Sequence, residues 1–246
     1  PALPAAAPIV TPADAPAVVV LTSGTTGGPK PAVLSVAAMT ASAAAWLAFL
    51  PPASGWLLAL GLGHVAGLGV VWRAALSGVP VVIASRGDTD RVLAALRADP
   101  RPSHVSLVPT QLARLLDSAG DARPPEALRA VLLGGGTVPP ALVRRAIRAG
   151  WPVVPTYGLT EAGSGVTALP SAEAGEHPAS AGRALPGVNL RIDAPGGDGV
   201  GHIEVRSPAL FSGYLGDPAA TAAALGPGGW LLTGDLGRLD PEGRLD

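Results

Sequence analysis

Lysine occurs once among the 17 Lys and Arg residues of this chain, at position 30. It closes "TSGTTGGPK" (22–30), a loop of hydroxyls, glycines and one cation that follows the apolar run "AVVVL" (17–21). Such a loop can wrap a polyphosphate, because glycines let backbone N–H groups approach, Ser/Thr hydroxyls donate and lysine supplies a point charge. Three further segments offer complementary chemistry. "PTYGLTEAGSG" (155–165) places Tyr157, Gly158, Thr160 and Glu161 within five residues. "WLLTGDLGRLDPEG" (230–243) sets Asp235 in a glycine-flanked turn, where a carboxylate can accept both hydroxyls of a ribose. "LLGGGTVPP" (132–140) carries Gly134, Gly135 and Gly136, on whose bare backbone a flat ring can lie. Each alone has a plainer reading: a core tyrosine, a solvated glutamate, a turn aspartate, a tight glycine turn. Together they supply every part of a nucleotide site.

Familiar phosphate loops do not fit. G-x-x-x-x-G-K-[ST] needs a helix to begin at the lysine, whereas Pro29 and Pro31 flank Lys30. G-x-G-x-x-G and G-x-S-x-G are both absent, which removes the signatures of a Rossmann dinucleotide site and of a hydrolase elbow.

The elements that must hold these loops alternate. Apolar runs at 17–21, 56–60, 79–83, 104–108, 129–133 and 152–154 read as strands. Between them, helical patterns cover 35–50, with Ser35 as N-cap, then 65–76, 88–99, 109–119 and 139–150. Strands buried on both faces and alternating with helices imply a layered, mostly parallel α/β sheet, whose ligands bind beyond the carboxyl ends of the strands. After residue 170 glycine–proline turns become dense, and "VNLRI", "GHIEV" and "WLLTGDLGRL" predict a β-rich, barrel-like subdomain. The expected division is a linker over 1–16, an α/β nucleotide- and acyl-binding unit over 17–170 and the β-rich unit over 171–246. The apolar stretch 56–72 is at the short limit of a membrane span. With its glycines and His64 it reads better as strand, turn and buried helix.

Composition narrows the function class. Hydrophobic residues make up 48% of the 246, and the net charge is −1. Scattered arginines and scarce aromatics give no electrostatic footprint for nucleic acid, and the absence of cysteine excludes disulfides and thiol catalysis. A soluble, cytoplasmic protein acting on small molecules is expected; a homodimer is compatible with the sequence but not specified by it.

These segments resemble the adenylate-forming superfamily of acyl-CoA synthetases, peptide-synthetase adenylation domains and luciferases. Its phosphate-loop motif is matched by 22–30, its Y-G-x-T-E motif by 157–161 and its T-G-D motif by 233–235, in the family's order. "SHVSLVPTQLARLLD", "LRAVLLGGGTVPPALV" and "SAGRALPGVNLRI" further resemble the o-succinylbenzoate–CoA ligases of menaquinone biosynthesis. The resemblance implies an ATP-dependent acid–CoA ligase using Mg2+ and coenzyme A. Thr22, Ser23, Gly24, Thr25, Thr26, Gly27 and Lys30 would hold the β- and γ-phosphates. Thr160 would donate to the α-phosphate, Glu161 would bind Mg2+, Gly134–Gly136 and Tyr157–Gly158 would hold adenine, and Asp235 would hold ribose. His64 would stand at the mouth of the acyl pocket, with Ser106 and Thr110 along its wall. For His64 a satisfied core histidine is an equally good reading, and for Ser106 a structural role is the better one. Alternatives are another aryl or fatty acid as substrate, or an inactive adenylate-binding module. Pro31 stands where the family favours Gly. The family's second lysine lies in a C-terminal domain and has no counterpart among these residues, so the chain is expected to be the family's central core, binding nucleotide but turning over poorly.

Overall fold

The structure is a computed structural model that describes residues 12–22, 28–84 and 89–246. The chain opens with an antiparallel hairpin, β1 (Pro16–Leu21) and β2 (Pro31–Ser35), that leads directly into helix α1 (Val36–Phe49). Ser35 caps α1, its hydroxyl accepting the Ala38 N–H at 3.1 Å. Two more of the free N–H groups at this end, those of Val36 and Ala37, donate to the carbonyls of Ala15 and Ala13. Alanine-rich α1 ends before Pro51 and Pro52, which disfavour further helix.

Alternating elements then build the main sheet: β3 (Trp56–Leu58), α2 (Val65–Ser77), β4 (Val81–Ile83), α3 (Thr89–Ala98), β5 (His104–Leu107), α4 (Pro109–Ala119), β6 (Ala130–Leu133), α5 (Pro140–Arg148) and β7 (Val153–Tyr157). Its five first strands are parallel in the order β4-β3-β5-β6-β7. Two short antiparallel strands, β8 (Thr167–Ala168) and β9 (Arg183–Ala184), extend it to seven, with the one-turn helix α6 (Ser171–Ala174) between them. Side chains alternate between two cores, as the period-2 geometry of a strand requires. Leu57, Val105, Leu107, Val131, Leu133 and Val153 pack with α3, α4 and α5 on one side. Trp56, Leu58, Ala130, Leu132 and Val154 pack with α1 and α2 on the other.

The β-rich part comprises β10 (Asn189–Asp193), β11 (Gly201–Arg206), β12 (Gly213–Tyr214), helix α7 (Pro218–Ala224), β13 (Leu225–Gly226) and β14 (Trp230–Gly237). A four-stranded antiparallel sheet runs β10-β11-β14-β13, while β12 leaves it to pair with β2. Residues beyond 170 therefore contribute to all three sheets of the described residues.

Strand 17–21 departs from expectation. Its five apolar residues suggested a member of the parallel sheet, yet β1 is the edge of an antiparallel three-stranded sheet, with only Val20 fully buried and Val19 and Leu21 exposed. Its partner β2 begins at Pro31, at the first position of a strand where a missing N–H costs no ladder bond. Stretch 56–72 is β3, a glycine turn and half of α2; among the described residues no helix is long and apolar enough to cross a membrane.

Candidate functional site

The loop between β1 and β2 is closed by the Thr22 N–H donating to the Lys30 carbonyl at 2.9 Å. Ser23, Gly24, Thr25, Thr26 and Gly27 lie outside the described residues. Gly28 adopts a φ of +117°, which favours glycine. Lys30 is half-buried, and its Nζ lies 5.3 Å from the centroid of the Tyr214 ring.

Thr160 and Glu161 sit on a single 3₁₀ turn directly after β7. The turn folds back on its own strand, with the Val166 N–H on the Tyr157 carbonyl and the Ser164 N–H on the Leu159 carbonyl. Gly158 is dictated by that fold: a Cβ there would strike the Ser164 carbonyl oxygen. Ser42 of α1 clamps the far side, donating to the Gly163 carbonyl at 2.6 Å. Glu161 Oε1 accepts the Tyr214 hydroxyl at 2.8 Å. Burial, and then Glu161, hold the Tyr214 phenol well above its ordinary range, so it remains a donor.

Asp235 reaches the same edge from β14. It is exposed, and its Oδ2 accepts the Tyr157 hydroxyl at 2.7 Å. Burial foremost, then the Asp235 carboxylate, raise the Tyr157 phenol far above its usual value. Gly134 is packed against Thr156, whose Oγ1 a Cβ would strike, while Gly136 faces open space. Gly135 has a φ of +76°. The three glycines thus leave β6 as bare, partly open backbone beside the end of β7.

The residues expected at the acyl pocket are of another kind. His64, the residue before α2, is exposed, which excludes the reading as a core histidine. Thr110, in the first turn of α4, is exposed as well. Ser106 is buried on the α2 side of β5, and its Oγ accepts from Arg73 Nη2 at 3.3 Å. In the sequence Arg73 is the charge that ends the apolar stretch 56–72, with no site role assigned to it. It is 2% exposed, and its guanidinium lies 4.5 Å above the Trp56 ring and 5.7 Å from Trp46. Gly69 makes room for it one turn earlier: a Cβ there would be 3.0 Å from Nη1. Among the described residues Arg73 has no carboxylate partner, and its Nε has no hydrogen-bond partner. Burial pulls the guanidinium down to about 9, so it is still a cation at neutral pH. Behind it His104 is wholly buried, its Nδ1 2.8 Å from the Ser103 hydroxyl and its ring 4.9 Å from Trp56.

Lys30, Tyr157, Gly158, Thr160, Glu161, Gly134–Gly136 and Asp235 therefore gather beyond the carboxyl ends of β6 and β7, the side on which ligands of such sheets bind. The sequence assigns no site role to Tyr214 or Arg73. A signal for the first was available, since the chain has only two tyrosines and both donate to carboxylates of this site.

A family model described as AMP-binding enzyme matches residues 3–215. The chain is 36% identical over 239 residues to a 2-succinylbenzoate–CoA ligase of Bacillus pumilus (strain SAFR-032), covering 93% of this chain and 48% of that protein. It is 34% identical over 238 residues to the 2-succinylbenzoate–CoA ligase of Bacillus subtilis (strain 168), with 94% and 48% covered. Among solved structures, o-succinylbenzoate CoA synthetase from Bacillus subtilis in complex with its acyl-adenylate intermediate superposes with a TM-score of 0.89 at 34% identity, over 95% of this chain and 49% of that one. The N-terminal domain of FACL13 from Mycobacterium tuberculosis gives 0.85 at 30%, over 97% and 61%. The chain spans about half the length of the curated relatives it matches.

Proposed function

Since the chain belongs to the AMP-binding enzyme family, we propose that it carries the nucleotide and acyl sites of an ATP-dependent acid–CoA ligase, with o-succinylbenzoate as the acid. The substrate carboxylate attacks the α-phosphorus of ATP, the bond to pyrophosphate breaks, and an acyl-adenylate results. The thiolate of coenzyme A then attacks the activated carbonyl and AMP departs. Neither step requires a protein nucleophile; both depend on holding groups in line and balancing charge.

The chain's own residues fit these tasks. Lys30 sets its ammonium against the β- and γ-phosphates, with Thr22 and the rest of 22–30 supplying donors. Thr160 donates to the α-phosphate. Adenine lies between the Gly134–Gly136 backbone and Tyr157–Gly158, and Asp235 accepts the ribose hydroxyls while Tyr157 fixes its second oxygen. Glu161 offers a hard carboxylate oxygen to Mg2+, and no group of three acidic or His side chains surrounds it among the described residues. That donor set fits an ion that takes one carboxylate and fills its shell with phosphate and water, where it neutralises phosphate charge. On the acyl side His64 stands at the mouth, with Ser106 and Thr110 along the wall.

The observation that carries the choice of acid is Arg73. A buried cation without a counter-charge is costly to fold around, and a second carboxylate on the substrate supplies the missing partner. A monocarboxylic aryl or fatty acid would leave it unpaired. At pH 7 the reaction would take place in the cytoplasm, where ATP and coenzyme A are supplied. Because the chain spans half of its relatives, binding is the proper readout. In a thermal-shift series with sulfamoyl-adenosine analogues bearing o-succinylbenzoyl, benzoyl, fatty-acyl or aminoacyl groups, a ligand at a hundred times its Kd adds about 2.7 kcal/mol. Stabilisation by the o-succinylbenzoyl analogue above the others is expected; equal stabilisation by all four refutes the substrate, and response to none refutes the site.

A further inference from the structure

Lys30 and Glu161 approach the same side chain at different points. Tyr214 presents its ring to the Lys30 ammonium at 5.3 Å and its hydroxyl to Glu161 Oε1 at 2.8 Å. We infer that Tyr214 is a positioning residue: a neutral spacer that holds the phosphate-loop cation and the turn carboxylate in place while keeping them from collapsing onto one another. The inference rests on the nucleotide reading given above.

The backbone around Tyr214 sets both distances. The Phe211 N–H donates to the Glu161 carbonyl at 2.8 Å, fixing the turn. The Leu215 N–H donates to the Pro31 carbonyl at 2.8 Å, and Tyr214 lies in register with Ala32, fixing the end of the loop. Within five residues, segment 211–215 therefore grips both elements. The tyrosine itself is held from behind by Thr221 Oγ1 on its N–H at 2.9 Å and by an edge-on contact with Phe211 at 4.9 Å. Gly213, at φ +138°, allows the backbone to pass Thr221.

The chemistry explains why a phenol suits this position. A lysine and a glutamate left free on facing loops would pair, and each would cancel the charge the other needs: the cation for phosphate, the carboxylate for Mg2+. Among the described residues these two form no ion pair. The ring attracts the ammonium through its quadrupole without carrying a counter-charge. The hydroxyl satisfies one carboxylate oxygen and leaves Oε2 free of it.

Calorimetry on the 246-residue chain separates the two halves of the role, with AMP, ATP and a Mg2+ titration as probes. Tyr214→Leu removes ring and hydroxyl; ATP binding should weaken about tenfold, while AMP, which lacks the β- and γ-phosphates, stays within about twofold. Tyr214→Phe keeps the ring. It should retain ATP affinity at saturating Mg2+ but need about fivefold more Mg2+ for half-maximal ATP binding. Equal losses for AMP and ATP, or no change in either variant, would overturn the role of Tyr214 alone. Failure of the parent chain to bind either nucleotide would overturn the nucleotide reading and this inference with it.

Discussion

The two regions proposed as the nucleotide and acyl ends treat charge in opposite ways. At the nucleotide end every titratable side chain has a neutral partner: Tyr157 for Asp235, Tyr214 for Glu161 and for Lys30. These groups are exposed or half-buried, and they come from loops far apart in the chain. At the proposed acyl end a single arginine of α2 is buried against two tryptophans, with the Ser106 hydroxyl accepting from it. Its neighbours come from α1, β3 and β5, which meet α2 on one face of the sheet. The first end is ready to exchange partners with a ligand at little cost. On the proposed reading the second is poised, because its cation would gain most from an arriving anion. Specificity of the kind that rejects a substrate lacking one group arises at sites of the second sort, where the unpaired polar group is left buried.

Three changes test this contrast, in order of decreasing effect. His104 is held down at about 4, by burial foremost and then by the charges of Arg73 and Arg129. Its folded value lies below the ordinary 6.5, so the unfolded chain gains a proton first as pH falls. Stability is therefore undiminished above pH 6.5 and declines between pH 6.5 and 4, by about 3 kcal/mol from this group. Denaturant unfolding across that range should show a slope that His104→Asn flattens; an unchanged slope in the variant would assign the decline to other groups. Next, Arg73→Met should raise stability by about 1–2 kcal/mol, because a lone buried charge gives way to an apolar chain of similar reach. A loss of stability would mean that the guanidinium already has its partner within the fold. The smallest effect belongs to the exposed end. Asp235→Asn should alter stability by less than about 0.5 kcal/mol, yet weaken AMP binding about tenfold through the ribose hydroxyls. If stability drops as far as for a core substitution, Asp235 is structural.

The same contrast decides what could be read from residues alone. The proposed nucleotide end could be singled out because its chemistry lies in short contiguous runs, 22–30, 157–161 and 233–235, each beside an apolar run; the turn expected at Asp235 is instead part of β14. Rarity pointed to Lys30, and the same reasoning applied to tyrosine would have reached Tyr214. Helices α1 and α5 were legible from Ser35 and Pro139–Pro140 at their starts, and α4 from the helical pattern over 109–119. Strand β1 was misassigned because five consecutive apolar residues do not distinguish a strand buried on both faces from an edge strand. Strand β2 was missed because it is five residues long and begins with proline. Arg73 was illegible for a deeper reason. Its importance lies in what does not surround it, and that is known only once β3, β5 and α1 have been folded against α2.

On the proposed reading Arg73 awaits the second carboxylate of the substrate. Isothermal calorimetry would measure o-succinylbenzoyl- and benzoyl-sulfamoyl-adenosine on the parent chain and on Arg73→Met. If the claim holds, the parent prefers the diacid analogue by about a hundredfold and the variant loses that preference while binding the benzoyl analogue as before. Equal affinities in the parent, or an equal loss for both analogues in the variant, would contradict it.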